Sequence, residues 1–222
     1  MIEAVDKVDS GMLDIEDIIS PEGWVLLGFI MDPRTGLGRF HDYAISNFQL
    51  MERLIEDCRT MKIEEILSLP DVEERVKRYW EQNEKFKGML TKHSQIQGKI
   101  IVTDLRGVSP IYTGNRFLIY SMFPEQNISV WIVDGKNKET ATASVGHSII
   151  NRTSRVDVSH LMLRFGGGGH YRVGSCQLPA ERADECIKQI IEIMCYAEER
   201  KTMSDDELSL LLSEVDELRI TE

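Results

Sequence analysis

The apolar residues change their spacing near Gln97, and this change limits most what the chain can fold into. Between residues 71 and 90 they recur at intervals of three and four, the period of one helix face. Beyond Gln97 they form short continuous runs, at residues 99–103 and 128–133, which are typical of buried strands. The sequence therefore predicts an α/β fold. A mostly helical N-terminal segment is joined by a long helix to a small mixed-sheet α/β domain.

Three stretches of the N-terminal segment carry its structural signals. Residues 24–31 are continuously apolar and form either a buried helix or a strand, because periodicity alone cannot decide. Residues 45–59 predict a helix with apolar side chains on one face (Phe48, Met51, Leu54 and Ile55). Pro70 before Asp71 is a natural helix start. In the helix that follows, Asn83 interrupts an apolar stripe of Val72, Val76, Tyr79, Phe86 and Leu90.

We divide the chain into four segments. Residues 1–70 are the mostly helical remnant of an N-terminal domain, 71–95 a connecting helix, 96–200 a C-terminal domain and 201–222 an acidic helical tail. The C-terminal domain has further strands at 141–145 and near 175–178, and helices at 115–122, 157–164 and 181–198, the first two capped by Asn115 and Asp157. The tail carries an apolar stripe (Leu208, Leu211, Leu212 and Val215) and is either a solvated helix or a partner-docking surface.

Composition excludes several functional classes. The 42% hydrophobic content suits a globular protein, and the net charge of -11 argues against binding long nucleic acid by a broad basic face. Four cysteines form no C-x-x-C pair, so we interpret them as buried thiols in a reducing compartment. The acidic N-terminus does not resemble a signal peptide, and no apolar run approaches membrane-spanning length. We expect a soluble, cytoplasmic protein that does not contact membranes.

Four consecutive glycines, Gly166, Gly167, Gly168 and Gly169, precede His170 between a predicted helix and a strand. Glycine lets the backbone approach a ligand closely, and successive exposed amides can form an anion-binding concavity. The His170 imidazole can donate to a phosphate oxygen. A loose turn is the alternative, but it would need only one or two glycines. The segment matches neither a P-loop nor the dinucleotide fingerprint, and we predict that it binds a phosphorylated ligand.

A second polar cluster lies upstream, directly after a predicted strand. It comprises His147, Ser148, Asn151 and Arg152. Strand ends are where α/β sheets place ligands, so we predict that these side chains orient the ligand. A solvated turn and a structural histidine are the alternatives. The loop at residues 34–39 is either a further source of cationic contacts, through Arg34 and Arg39, or another solvated turn.

These residues carry a family resemblance. The motif at 165–170, preceded by residues 145–148, resembles the C-terminal substrate-binding domain of the DHH phosphoesterases over residues 97–198. Residues 4–11 and 24–40 resemble the exopolyphosphatase-related branch of that family. The resemblance implies that the C-terminal domain grips the phosphate and the base or terminal part of a substrate. It also implies an N-terminal domain in which two manganese ions activate water.

The departures from the family pattern concern catalysis. The sequence has no Asp-His-His triplet and no early Asp-x-Asp motif, so the chain resembles a member whose catalytic half is absent. Asp6 matches the last metal-ligating aspartate of the family, with Asp9 as the alternative, and both could equally be ordinary polar residues. A single carboxylate cannot hold a two-metal centre.

The leading hypothesis is therefore the substrate-binding portion of a phosphoesterase that hydrolyses phosphodiester or phosphoanhydride bonds. Its substrate would be polyphosphate, a short oligonucleotide or a cyclic dinucleotide. We expect this chain alone to be inactive and to bind no manganese stably. Its partners would be a phosphorylated small ligand or short nucleic acid, and a homodimer mate or partner chain carrying the catalytic half. The rival hypothesis is a stand-alone, non-catalytic module that binds nucleotides or nucleic acid.

Overall fold

The computed structural model describes residues 2–199. Within this range the α-helices are α1 (Ile2–Asp9), α2 (Ile15–Ile19), α3 (Gly23–Met31), α4 (Asn47–Thr60), α5 (Ile63–Leu67), α6 (Pro70–His93), α7 (Leu118–Met122), α8 (Val158–Arg164) and α9 (Ala183–Glu199). The strands are β1 (Ser94–Gln97), β2 (Ile100–Asp104), β3 (Ile128–Asp134), β4 (Thr140–His147), β5 (Gly168–His170) and β6 (Val173–Pro179). The tail stripe from Leu208 to Val215 lies outside the described residues.

The six strands form one mixed sheet in the order β1-β2-β3-β4-β6-β5. Only β2 and β3 pair in parallel, and the other neighbours are antiparallel. The predicted α/β class with a mixed sheet is confirmed. The strands predicted at 99–103, 128–133, 141–145 and 175–178 correspond to β2, β3, β4 and β6. Two short strands, β1 and β5, were not predicted.

The chain divides into two compact units. Among the described residues, the first contains 2–92 together with 109–122, and the second contains 93–108 together with 123–199. Residues 109–122, which include α7, thus belong to the first unit although both flanking segments belong to the second. The domain boundaries drawn from the sequence at residues 70, 95 and 200 stay predictions.

In the first unit, the apolar run at residues 24–31 is a helix, α3, and not a strand. Five of its nine residues are buried (Val25, Leu26, Leu27, Phe29 and Ile30). The helix predicted at 115–122 is the shorter α7, so Asn115 shapes the turn before the helix and does not cap its first residues as predicted. The Asn115 side chain accepts a hydrogen bond from the Phe117 amide at 2.9 Å, just before α7 begins.

The predicted apolar face of α4 is correct only at Leu54. The structure buries Leu50 and Leu54, whereas Phe48, Met51 and Ile55 are exposed. Both sets recur at helical spacing, so the helix carries two candidate stripes. The sequence shows both, and only the tertiary contacts decide which one packs.

The helix α6 has the predicted period but a more polar buried stripe than expected. Asn83 continues the stripe instead of interrupting it, and Arg75 is fully buried within it. Arg75 donates to Asn47 Oδ1, Asp71 O and Ile45 O at 2.8, 2.7 and 2.6 Å, and its guanidinium lies 4.0 Å from the centre of the Tyr43 ring. These contacts replace a carboxylate partner and attach the start of α4 to α6.

In the second unit, α8 and α9 cover one face of the sheet. Their apolar side chains share a core with alternate residues of β4 and β6, such as Ala143 and Cys176. The residues between them, including Ser144 and Ser175, point to the opposite face. Directly paired residues of adjacent strands share a face, so Gly168 opposite Ser175 and His170 opposite Val173 lie on the side away from the two helices.

No helix among residues 2–199 is both long enough and apolar enough to cross a membrane. The four cysteines are free thiols, and Cys176 is buried in the core of the second unit. Burial raises the pKa of the Cys176 thiol to about 11, as expected for a cysteine that packs as a small apolar residue.

Candidate ligand site

The first two glycines of the motif end the helix α8. Gly166 has a φ of 72°, and its amide donates to Leu163 O at 3.1 Å. The Gly167 amide donates to Met162 O at 2.9 Å. This pair of bonds, with a left-handed residue directly after the helix, is a Schellman motif. The predicted concavity of successive free amides is therefore not formed by Gly166 and Gly167, because both amides are used inside the chain.

The last part of the motif is a strand rather than a loop. Gly168, Gly169 and His170 form β5, which pairs with β6 through Gly168–Ser175, Gly169–Gly174 and His170–Val173. It is the edge strand of the described sheet, so its outer side has no strand partner. The strand is not visible in the sequence, because glycine has a low strand propensity. Pairing with β6 makes the segment a strand in spite of this propensity.

The fold demands three of the four glycines. Gly166 needs its left-handed φ. A Cβ on Gly167 would overlap Ser175 O and lie 2.6 Å from the Cys176 Cβ, and a Cβ on Gly169 would overlap Val173 O and Gly174 Cα. Gly168 differs, because it has no left-handed φ and a Cβ there would meet nothing within 4 Å. Nothing in the described chain explains why residue 168 lacks a side chain.

The hairpin formed by β5 and β6 lies in a locally cationic stretch. Residues 147–172 contain four arginines, three histidines and one aspartate, although the whole chain carries a net charge of -11. His170 is exposed at the end of β5. The connection to β6 consists of only Tyr171 and Arg172. The hairpin therefore follows directly on a stretch of chain in which arginines outnumber the single carboxylate.

His147 ends β4 and contacts the same hairpin. Its backbone amide donates to Arg172 O at 2.9 Å, and its ring lies edge-on to Tyr171 with the centroids 5.9 Å apart. Nε2 lies 2.9 Å from Val156 O and must carry the proton, because a carbonyl can only accept. Burial, aided by the charge of Arg172, holds the pKa of His147 below its usual value. The neutral ring then leaves Nδ1 as its acceptor.

Of the other three predicted residues, Ser148 and Arg152 bond within their own turn, whereas Asn151 bonds outside it, to Glu125. The buried Ser148 Oγ accepts from the Ile150 and Asn151 amides at 3.2 and 3.0 Å. Asn151 Nδ2 donates to Glu125 O at 3.0 Å, and Arg152 Nε donates to Ile149 O at 2.8 Å. Ser148 and Asn151 thus hold the turn after β4, and Arg152 is exposed. Their contact with a ligand stays a prediction.

Sequence reasoning missed a network that fastens this turn to α9. The Glu198 carboxylate accepts from Asn127 Nδ2 and from Ser154 Oγ, both at 2.6 Å. Ser154 Oγ also lies 3.5 Å from His147 Nε2. The residues are 71 and 44 positions apart from Glu198 along the chain, so no local pattern could reveal them. Tyr171 was also overlooked, although an aromatic residue directly after the glycine–histidine motif was a visible signal.

The loop after α3 forms two short 3-10 turns, Pro33–Thr35 and Leu37–Arg39. Arg34 Nε donates to both carboxylate oxygens of Asp32, at 2.9 and 3.1 Å. Burial alone would raise the pKa of Asp32, but the hydrogen bonds and charge of Arg34 hold it below its usual value. The loop is thus fixed by its own ion pair. Cationic contacts from it to a phosphate chain stay a prediction.

The residues described do not fit a two-metal centre. Asp6 is exposed on α1, and Asp9 is exposed at the end of the same helix. Within residues 2–199 there is no group of three or more His, Cys, Asp or Glu side chains that could hold a metal ion. A pair of catalytic ions needs several shared oxygen or nitrogen ligands, so no chemical step through manganese can be derived from these residues.

A cavity of about 380 Å³ lies at the carboxyl ends of β2 and β3, a common ligand position in α/β sheets. Its charged groups are paired within the chain. Arg106 bonds Asp104 and Asp184 at 2.6 and 2.7 Å, and Asp134 accepts from the Gly107 amide at 2.7 Å. The glycine hairpin (residues 166–179), in which a Cβ at Gly168 would meet open space and His170 is exposed, is therefore the stronger candidate.

No protein-family model matches the chain, and no curated protein sequence matches it. Among solved structures, the chain resembles a pGpG-specific phosphodiesterase, PggH, from Vibrio cholerae. The two are 40% identical with a TM-score of 0.83, over 88% of this chain and 66% of that one. The chain therefore spans just under two thirds of the length of that relative.

Two further solved structures are more distant. An exopolyphosphatase-related protein from Bacteroides fragilis is 12% identical, with a TM-score of 0.41, over 65% of this chain and 42% of that one. A DHH domain from a member of a family of ribosomal proteins is 16% identical, with a TM-score of 0.43, over 86% of this chain and 44% of that one.

Proposed function

The chain belongs to the DHH phosphoesterases, in their exopolyphosphatase-related branch, and on this premise we propose that its glycine–histidine hairpin binds a phosphate group of the substrate. The hairpin consists of residues 166–179. In this proposal the chain is the substrate-binding portion of a phosphodiesterase.

The observation that carries the proposal is the open position at Gly168. The fold requires a glycine at 166, 167 and 169, but not at 168. Leaving out a side chain where one would fit costs conformational entropy on folding. Close approach of a ligand to the backbone supplies the reason. The outer side of β5, which has no strand partner, is where the ligand would lie.

The side chains around this edge suit a phosphate. His170 is exposed at the end of β5 and can donate to a phosphate oxygen. The arginines of residues 147–172 add positive charge, and neutral His147 offers an acceptor at Nδ1 for a ligand hydroxyl or amine. These residues bind and orient a substrate. They do not cleave it.

The relative that is 40% identical acts on pGpG, so we propose a short linear dinucleotide as the substrate of this chain's site. Polyphosphate and cyclic dinucleotides are the alternatives. Cleavage in the intact enzyme would use manganese held by ligands other than those described here, in a partner chain or elsewhere in the same protein. The rival proposal of a non-catalytic binding module predicts the same ligand site without hydrolysis in any assembly.

Calorimetric titration with pGpG, tripolyphosphate and cyclic di-GMP tests the site. A charge-assisted hydrogen bond is worth roughly 1.5–3 kcal/mol, so His170→Ala should weaken binding of the preferred ligand by about ten-fold or more. His160→Ala is the matched control, because His160 is also an exposed histidine of the second unit, on α8. Equal affinity of wild type and His170→Ala would contradict the assignment.

A further inference from the structure

Two loops of the first unit each carry one arginine. Arg34 lies in the turn Pro33–Thr35 after α3, and Arg116 lies in the segment that leads into α7. The loops are joined directly, because the Gly114 amide donates to Thr35 O at 3.2 Å. The two arginines are therefore presented by connected backbone, although they are 82 positions apart in the sequence.

Both arginines face the same carboxylate. Arg34 Nε donates to Asp32 Oδ1 and Oδ2 at 2.9 and 3.1 Å, and Arg116 Nε lies 3.9 Å from Asp32 Oδ2. The Asp32 side chain is only 11% exposed, whereas those of Arg34 and Arg116 are 62% and 39% exposed. The carboxylate is thus largely covered while both guanidinium groups reach solvent, so an approaching solute meets the positive charge first.

Arg116 is incompletely paired. Within residues 2–199 its Nε is buried without a hydrogen-bond partner, because the 3.9 Å to Asp32 exceeds hydrogen-bond distance. Its guanidinium lies over the Phe117 ring, 4.2 Å from the centre, which fixes the group but supplies no oxygen acceptor. Burial, together with the positive charge of Arg34, holds the pKa of Arg116 below its usual value. A further anion beside the guanidinium would supply an acceptor and offset the repulsion between the two arginines.

We propose that Arg34 and Arg116 together bind a phosphate group, at a site in the first unit that contains no residue of the glycine hairpin. Two guanidinium groups and one carboxylate leave one positive charge uncompensated. A phosphate suits them better than a carboxylate, because it offers more oxygens to the two planar forks and carries up to two negative charges. Free inorganic phosphate and the phosphate of a nucleotide share this chemistry, and titration with each distinguishes them.

Nuclear magnetic resonance of the arginine side-chain Nε–H signals tests the site, with inorganic phosphate and pGpG as probes at constant ionic strength. The signals of Arg34 and Arg116 should shift with phosphate and saturate. The signal of Arg59, an exposed arginine of the same unit paired with Glu56 at 3.6 Å, should change little. Arg34→Gln should weaken the binding seen at Arg116 about ten-fold, because a charge-assisted contact is lost. Arg59→Gln is the matched control and should leave it unchanged.

Asp32→Asn gives a test of the opposite sign. The variant removes the competing carboxylate but keeps an oxygen that can accept from the Arg34 amide. Phosphate should therefore bind several-fold more tightly at Arg116. His170→Ala should leave the response of Arg116 to inorganic phosphate unchanged, because the hairpin is not part of this site.

The outcomes separate the sources of the phosphate from failure of the site. If pGpG shifts the Arg116 signal, the site takes the phosphate of a nucleotide, and if inorganic phosphate alone does, the free ion is the ligand. If neither probe shifts the signal, or if Arg34→Gln leaves its response unchanged, the proposal is wrong. The thermal midpoint shows whether each variant folds, and the wild-type titration decides the proposal even if a variant does not fold.

Discussion

At the scale of single residues, the glycine motif combines two requirements that the sequence cannot separate. Gly166, Gly167 and Gly169 serve the helix end and the close packing on β6, whereas Gly168 has free space around it. The sequence interpretation rested on the number of glycines and allowed one or two of them for a turn, whereas the fold requires three. The sequence could not show at which of the four positions the fold does not require a glycine, because this depends on the pairing of β5 with β6.

This difference predicts opposite effects at neighbouring positions. Gly168→Val should leave the free energy of unfolding within about 0.5 kcal/mol of wild type, because its Cβ meets open space in a strand. The same variant should weaken dinucleotide binding markedly. Gly167→Ala should cost roughly 1–3 kcal/mol, since its Cβ would overlap the backbone of β6. Urea unfolding and calorimetric titration measure both quantities. Unchanged binding in Gly168→Val would remove the main support for the ligand site.

A second residue-scale prediction concerns His147 and pH. Burial lowers the pKa of His147 in the folded state, so the unfolded state binds more protons below about pH 6.5. Stability should therefore fall as the pH drops from about 7.5 to about 5.5, well above the range where ordinary aspartates titrate. His147→Gln keeps a donor for Val156 O but cannot be protonated. Its thermal midpoint should depend less on pH, and an equal dependence would show that His147 does not contribute.

At the scale of elements, the sequence predicted whether a segment is a helix or a strand better than it predicted which face of that element packs. The helices α4, α6, α8 and α9 and the longer strands follow from apolar period and capping residues. The packed face of α4 and the strand β5 do not, because both depend on contacts between elements distant in sequence. For the candidate site, the motif and His147 were visible in the sequence, whereas Glu198 and its bonds to Asn127 and Ser154 were not.

The attachment of α4 to α6 gives an element-scale prediction. Arg75 is fully buried and donates in three directions, which a lysine with one nitrogen cannot reproduce. Arg75→Lys should lower the free energy of unfolding by about 2–4 kcal/mol. Arg59→Lys is the matched control, since Arg59 is exposed and paired only at 3.6 Å with Glu56. Similar unfolding curves for the two variants would mean that the buried network contributes little.

At the scale of the whole molecule, the proposed function separates binding from cleavage. The glycine hairpin offers a candidate ligand site within one unit, whereas residues 2–199 contain no cluster for a metal pair. An activity assay with added manganese tests whether ligands outside these residues complete a metal centre.

We predict that the purified chain releases no mononucleotide from pGpG and no phosphate from tripolyphosphate, even with excess manganese. The reason is that, within residues 2–199, Asp6 and Asp9 belong to no group of His, Cys, Asp or Glu side chains able to share two ions. The assay is product release followed over time, beside a titration showing that the ligand binds. Sustained turnover that Asp6→Ala abolishes would reveal a metal site assembled from residues that the described structure does not bring together.

The short, doubly fixed hairpin also determines how quickly a ligand could be captured. The Schellman motif anchors one end of β5 and a two-residue turn the other, so only three residues lie between them. Within these residues, no long loop has to become ordered before a ligand can bind. Productive encounter should therefore be limited by diffusion and guided by the local positive charge, with a rate that falls as salt increases. Differences in affinity between ligands would then come from differences in their dissociation rates.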